Sequence, residues 1–243
     1  MQFTKKSKTI TAIVAVGLAV IALLVVVFGF LLPDYLKEQE HKRQVREYTQ
    51  KKLSGYEDEN LLYGDYEVDV AFLGDSLTDG YDLATYYPQY VVSNRGIGGD
   101  TTKTLEQRLQ VSVYDLKPKV VVMLIGANNP HDMFDNYEDI LLGLRRNLPE
   151  TEIILLSLTA MGDEWGRNNQ VAAYNNVKIE LLAKKYGFFF VDLFTPLYDV
   201  DKGEVYEGYT VDGGHFTPLG YENVTMLVTP VIEDALQDFR DKH

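Results

Sequence analysis

The longest apolar run in the chain comes first. No charged residue stands between Thr9 and Pro33, and Ile10–Leu32 is almost entirely Ile, Leu, Val, Ala, Phe and Gly. A helix of that length is long enough to cross a hydrocarbon core of about 30 Å. The run exceeds an ordinary signal-peptide core, and no small-x-small site follows Phe28-Gly29-Phe30-Leu31-Leu32, so the pattern predicts an uncleaved N-terminal transmembrane helix. Asp34–Asn60 then turns strongly polar, with Leu36, Val45, Tyr48 and Leu53 among its few apolar positions. It reads as a tether, or as a helix laid against a domain, with Ser54-Gly55 as its end. The expected organisation is 1–33 as N-terminus and membrane span, 34–60 as charged juxtamembrane tether, and 61–243 as the folded domain.

From Leu61 short apolar runs alternate with longer amphipathic segments. Strands are expected at Val68–Leu73, Tyr90–Ser93, Val120–Ile125, Glu152–Leu158 and Phe188–Asp192. Helices are expected at Thr101–Leu116, Tyr137–Asn147, Asn168–Tyr186 and Thr217–Phe239, with a short helix or loop at Leu83–Tyr87. Strands that alternate with helices predict a parallel sheet with helices on both faces. The near-continuous apolar character of most strands fits a sheet covered on both sides. The fold class expected is therefore α/β, a three-layer α/β/α domain with a five-stranded parallel sheet.

Charge sharpens this picture. The net charge is −13, yet residues 1–32 carry Lys5, Lys6 and Lys8 and no acid. Residues 61–243 carry 14 basic and 29 acidic groups. A domain so acidic is a poor match for nucleic acid or anionic lipid. Lysine and arginine counted over about twenty residues on each side would put the N-terminus outside. The nearest flanks, three lysines against Lys37, and the short basic start favour a cytoplasmic N-terminus. The expectation is a single-pass cell-membrane protein with its C-terminal domain extracellular. The chain has no cysteine, which excludes disulfides, thiolate metal sites and a cysteine nucleophile.

The chemistry gathers after the strands. Gly74-Asp75-Ser76 follows the first, and Asn94-Arg95-Gly96-Ile97-Gly98-Gly99-Asp100 the second. Gly126-Ala127-Asn128-Asn129 follows the third, and Asp212-Gly213-Gly214-His215 precedes the last helix. In a parallel sheet all carboxyl ends lie on one edge, where α/β proteins place their sites. A serine hydroxyl needs a base to take its proton, and histidine is the usual one near neutral pH. His215 has Asp212 three residues upstream to orient its ring, with two glycines between for a tight reversal. The Ser76 and Gly99 backbone N–H groups and the Asn128 amide can supply donors for an oxyanion. Taken singly, each block also reads blandly: Asp75-Ser76 as a helix cap, Gly98-Gly99 as a turn before a helix capped by Asp100 or Thr101. His131 reads as a loop residue or a substrate contact. Trp165, the only tryptophan, reads as loop packing or pocket rim.

Together, in this order, the four blocks resemble the SGNH hydrolases, the GDSL esterase/lipase superfamily. The resemblance covers about residues 68–239. The stretch Asn94–Thr102 is similar to the second block of the platelet-activating-factor acetylhydrolase-like branch. Asn129 departs from the Asp of many members, although that branch often has Asn here. The resemblance implies the flavodoxin-like SGNH fold, nucleophile Ser76, base His215, orienting acid Asp212, and oxyanion donors Ser76, Gly99 and Asn128. It implies no metal and no organic cofactor. The expected function is a membrane-anchored extracellular serine esterase that hydrolyses or transfers a short acyl group, with O-acetyl on a cell-envelope glycan as substrate. A lipid esterase and a non-catalytic envelope-binding module are the alternatives.

Overall fold

The short apolar runs after Leu61 do become strands. The computed structural model describes residues 5–243, so Met1–Thr4 of the expected N-terminus lie outside the described residues. Two compact units result, the first ending at Lys51 and the second running Lys52–His243.

The first unit is helical. Helix α1 (Lys5–Val26) passes through a π-helical turn at Val27–Leu31 into helix α2 (Leu32–Asn60). From Ala12 this rod is long and apolar enough to cross a membrane, by length and composition. Past Pro33 its surface changes to ion pairs at helical spacing, such as Lys42 with Glu38 and Arg43 with Glu40. Ser54-Gly55 does not end α2. Glycine costs a helix about 1 kcal/mol, but the last turns are packed: Tyr56 is buried, and the second unit begins at Lys52 rather than at 61.

The second unit is built on five parallel strands: β1 (Val70–Gly74), β2 (Val92–Gly96), β3 (Val120–Leu124), β4 (Glu152–Leu156) and β5 (Phe189–Val191). Their order is β2-β1-β3-β4-β5, the flavodoxin-like doubly wound order. Alternate side chains enter opposite layers. Ala71, Leu73, Val121, Met123, Ile153 and Leu155 pack against α5 (Thr102–Gln107), α6 (Phe134–Asn147) and α7 (Asn169–Tyr186). Val70, Phe72, Val120, Val122, Leu124 and Ile154 pack against α9 (Pro218–Lys242), through Val224, Val228, Ile232, Ala235 and Leu236. Each Val, Leu, Ile, Phe or Met among them, fully buried, stabilises by about 1.5–3 kcal/mol. The three-layer α/β/α architecture is as expected. Short elements complete it: α3 (Ser76–Asp79), α4 (Leu83–Tyr86), α8 (Phe194–Leu197) and the antiparallel pair β6 (Tyr198–Asp199) and β7 (Glu204–Val205).

Two boundaries differ for physical reasons. The second strand is Val92–Gly96, not Tyr90–Ser93, because Asn94 and Arg95 stay in the sheet and Arg95 is fully buried. The helix expected over 101–116 breaks at Arg108, whose side chain turns inward, and resumes as a π-helical turn at Gln110–Tyr114.

Register decides the site. Gly74 of β1 stands beside Gly96 of β2 and Leu124 of β3, so three strands end level. Gly96 permits the close approach of α3: a Cβ there would sit 2.2 Å from the Asp79 amide nitrogen.

One buried group lacks compensation. Tyr137 is fully buried in α6, and its hydroxyl has no hydrogen-bond partner among the described residues. An unsatisfied buried hydroxyl costs about 1–3 kcal/mol. Tyr137→Phe should therefore raise the midpoint of thermal or urea unfolding. A drop of more than about 1 kcal/mol would show that the hydroxyl is satisfied after all.

Candidate active site

Asp75 leaves β1 buried and caps the short helix α3, its Oδ1 accepting from the Leu77 N–H at 3.1 Å. That cap starts α3 at Ser76 and holds the serine just past the sheet edge. Across the crevice, Asp212 folds back on its own loop. Its Oδ1 accepts from the N–H groups of His215 (2.7 Å) and Gly214 (3.0 Å), and its Oδ2 from His215 Nδ1 at 2.8 Å. Gly213, at φ +81°, makes the reversal, and a Cβ there would strike the Gly162 carbonyl oxygen at 2.3 Å. The other ring nitrogen, Nε2, lies 3.0 Å from Ser76 Oγ. The tautomer that satisfies all three groups puts the proton on Nδ1, so Nε2 accepts from the serine hydroxyl.

The electrostatics separate the two carboxylates. The backbone N–H of His215, then its ring N–H, hold Asp212 down at about 2, so it is an anion near neutral pH. Burial pushes Asp75 up to about 7, and the nearby Asp100 charge adds to the rise. Its Oδ2 has no hydrogen-bond partner among the described residues. Near neutrality Asp75 is thus a partly protonated cap, and Asp212 is the fixed negative charge.

A small cavity of about 50 Å³ opens at Ser76, lined by Leu77, Asn128, Thr159, Met161, Trp165 and His215 among others. The structure thus brings together Ser76, His215, Asn128 and Trp165, with Asp212 behind the imidazole. Asn128 donates one amide hydrogen to the Asp100 carbonyl at 2.9 Å, which leaves its second hydrogen for the cavity. A Cβ on Gly98 would lie 3.9 Å from the Ser76 Cβ, and Gly99 follows at φ +82°, exposed. Trp165 stands edge-on to the His215 ring, centroids 6.4 Å apart. His131 does not join them. The turn after Asn129 buries Pro130 and Met133 and leaves His131 exposed, away from the cavity lining. Of the two capping candidates, Thr101 caps α5, accepting from the Thr104 N–H, while Asp100 pairs with Arg108 at 2.6 Å.

Several supporting residues escape a reading of the sequence. Arg108 is buried and donates to Asp100, to Ser112 and to the Gly74 and Arg95 carbonyls. Asn129 brackets Thr102, accepting from its N–H and donating to its hydroxyl. Asn169 and Asn176 on α7 each grip one loop residue twice, Met161 and Leu158 respectively, and so fix the wall of the cavity. The one available signal was their spacing, two asparagines seven apart on one helix face.

Known proteins agree with this architecture. The chain is 28% identical over 190 residues to the platelet-activating factor acetylhydrolase IB subunit alpha2 of Homo sapiens, covering 72% of this chain and 80% of that one. A GDSL-like lipase from Bacteroides thetaiotaomicron superposes with a TM-score of 0.67 at 26% identity, over 75% of this chain and 98% of that one. The acetylxylan esterase Axe2 of Geobacillus stearothermophilus shares the fold, with a TM-score of 0.57 at 20% identity over 69% of this chain and 95% of that one. The family model of the GDSL-like lipases and acylhydrolases matches residues 72–222, from the end of β1 into α9, and the chain belongs to that family.

Proposed function

We propose that this acylhydrolase is a serine esterase that removes short acyl groups, acetyl above all, from an oxygen, and that its apolar N-terminal helix holds it on a membrane with the catalytic unit outside. The observation that carries the chemistry is the hydrogen-bonded line from Asp212 through His215 to Ser76, at 2.8 and 3.0 Å, facing a small cavity. Ser76 Oγ attacks the acyl carbonyl carbon while its proton passes to His215 Nε2. Asp212 stabilises the imidazolium that forms. Negative charge develops on the former carbonyl oxygen and meets the Ser76 and Gly99 N–H groups and the free hydrogen of Asn128. Collapse breaks the bond to the leaving oxygen, which takes the proton from His215. Water, activated by the same base, then attacks the acyl-serine and releases the acid.

Cavity size supports a short acyl group: Trp165, Met161 and Leu77 close it. The curated relatives are named acetylhydrolases, which favours acetyl. An acetylated cell-envelope glycan suits an enzyme fixed at the outer face, and a neighbour in fold is named an acetylxylan esterase.

In the full-length chain in detergent, aryl acetate should be turned over faster than aryl butyrate or longer esters. One methylene too many in an apolar pocket is worth about 1–3 kcal/mol of discrimination. Ser76→Ala should lose at least roughly 10³-fold in turnover with folding intact. Near wild-type turnover in that variant would remove Ser76 as nucleophile, and higher efficiency on long acyl chains would turn the reading toward a lipid substrate.

A second outcome concerns pH. Asp75 carries a proton in the native state up to about 7, whereas an unfolded aspartate gives it up near 3.9. The native state therefore binds the extra proton across that window, and this contribution to stability is lost as pH rises through it. Asp75→Asn keeps the cap and removes the titration. Its melting point relative to the parent should be higher at pH 8 than at pH 5; an equal difference at both pH values would mean that Asp75 is ionised throughout. Asp212 shifts the opposite way and acts only at lower pH.

Orientation is read in intact cells stripped of any outer wall. External protease should remove the second unit and leave the apolar helix with the membrane. Full protection of that unit would place the catalytic domain on the cytoplasmic side.

A further inference from the structure

The last turns of α2 are fastened to the loop beside the nucleophile. Lys52 Nζ donates to Asp79 Oδ1 at 2.8 Å, and both side chains are largely buried. The other oxygen of the same carboxylate, Oδ2, accepts from the Gly98 N–H at 3.0 Å. Asp79 is the last residue of α3, one turn after Ser76. One turn along α2 from Lys52, the Tyr56 hydroxyl donates to the Gly96 carbonyl at 2.7 Å. The guanidinium of Arg95 lies over the Tyr56 ring at 4.7 Å and reaches Glu59 at 3.3 Å. Another turn on, the Asn60 amide donates to the Val111 carbonyl at 2.8 Å.

Positions 52, 56 and 59–60 form one helix face; Tyr56 meets the Gly96 carbonyl directly, and Lys52 meets Asp79, whose other oxygen holds the Gly98 N–H. These contacts are not what a spacer needs. They fall on the Gly96 carbonyl, just before Ile97, and on the Asp79 carboxylate, which joins the Gly98 amide to the helix of Ser76.

We propose that Lys52 and Tyr56 are positioning residues for the reaction, holding the Gly96–Gly99 segment in register with Ser76 so that the Gly99 N–H meets the developing oxyanion. The inference rests on the serine-esterase reading above. Neither residue touches the substrate. Lys52 neutralises Asp79 and keeps its carboxylate turned onto the Gly98 amide, while Tyr56 fixes the carbonyl two residues before. Loss of either loosens a donor used more in the transition state than in substrate binding, so the effect belongs in turnover rather than in the Michaelis constant.

The test uses the full-length chain in detergent, with aryl acetate as substrate and a fluorophosphonate to count reactive serines. Lys52→Ala should lower kcat per reactive serine about tenfold, with KM changed by less than about twofold, since small displacements of a positioned group are costly. Lys52→Arg, which keeps the cation, should recover most of that loss. Tyr56→Phe should fall in the same direction. Lys117→Ala, which deletes the exposed pair with Asp65, should leave kcat unchanged. Unchanged kcat per reactive serine in Lys52→Ala would overturn the proposal, and so would a lower melting point with fewer reactive serines of normal activity. Ser76→Ala separates the two readings: activity that survives there removes the esterase site itself, whereas activity lost there and retained in Lys52→Ala removes only the positioning role.

Discussion

The carboxyl edge of the sheet is held by one buried cation. Arg108 spends hydrogens from all three guanidinium nitrogens: Nε on Asp100, Nη1 on the Arg95 carbonyl and the Ser112 hydroxyl, Nη2 on the Gly74 carbonyl. Two of these partners are strand-end carbonyls, of β1 and β2, whose chains leave toward Ser76 and Gly99. Another, Asp100, offers its own carbonyl to Asn128. Three of the four blocks around the site are therefore referenced to one planar group. A buried pair such as Arg108–Asp100 adds little net stability over an apolar replacement, but removal of one partner leaves a stranded charge and costs about 3–5 kcal/mol. Its contribution is geometric: a fork of fixed donors sets angles as well as distances.

The remaining wall is fixed by neutral groups instead. The loop after β4 has no ladder to join, so its backbone at Leu158 and Met161 is paired by the amides of Asn176 and Asn169. Each amide acts as a false strand, accepting from one N–H and donating to the same residue's carbonyl. The charged side of the site thus orients Ser76 and the donors proposed for the oxyanion, while the amide-braced side sets the shape of the cavity. The buried cap Asp75 stands between them; burial raises its pKa, and one of its oxygens has no hydrogen-bond partner among the described residues.

Much of this was legible in the residues alone, for a topological reason. Parallel strands put every following loop on one edge, so Ser76, Gly98-Gly99, Asn128 and the Asp212–His215 turn could be gathered without any knowledge of packing. What escaped was of two kinds. Arg95 and Arg108 are charged residues at fully buried positions, and sequence pattern assigns such residues to the surface; the boundaries of β2 and α5 were misplaced for the same reason. The lining residues Leu77, Thr159 and Met161 are indistinguishable by type from core, and only the direction of each side chain separates cavity from interior. His131 stands exposed in the turn where Pro130 and Met133 take the buried positions, which agrees with the loop reading of it.

Trp165 has a practical corollary. It is the chain's single tryptophan, it forms part of the cavity wall, and its ring meets the His215 imidazole edge-on at 6.4 Å. Excited selectively over the many tyrosines, it makes the protein carry its own optical reporter beside the His215 ring. Occupancy of the cavity is thereby open to stopped-flow fluorescence on the unlabelled chain.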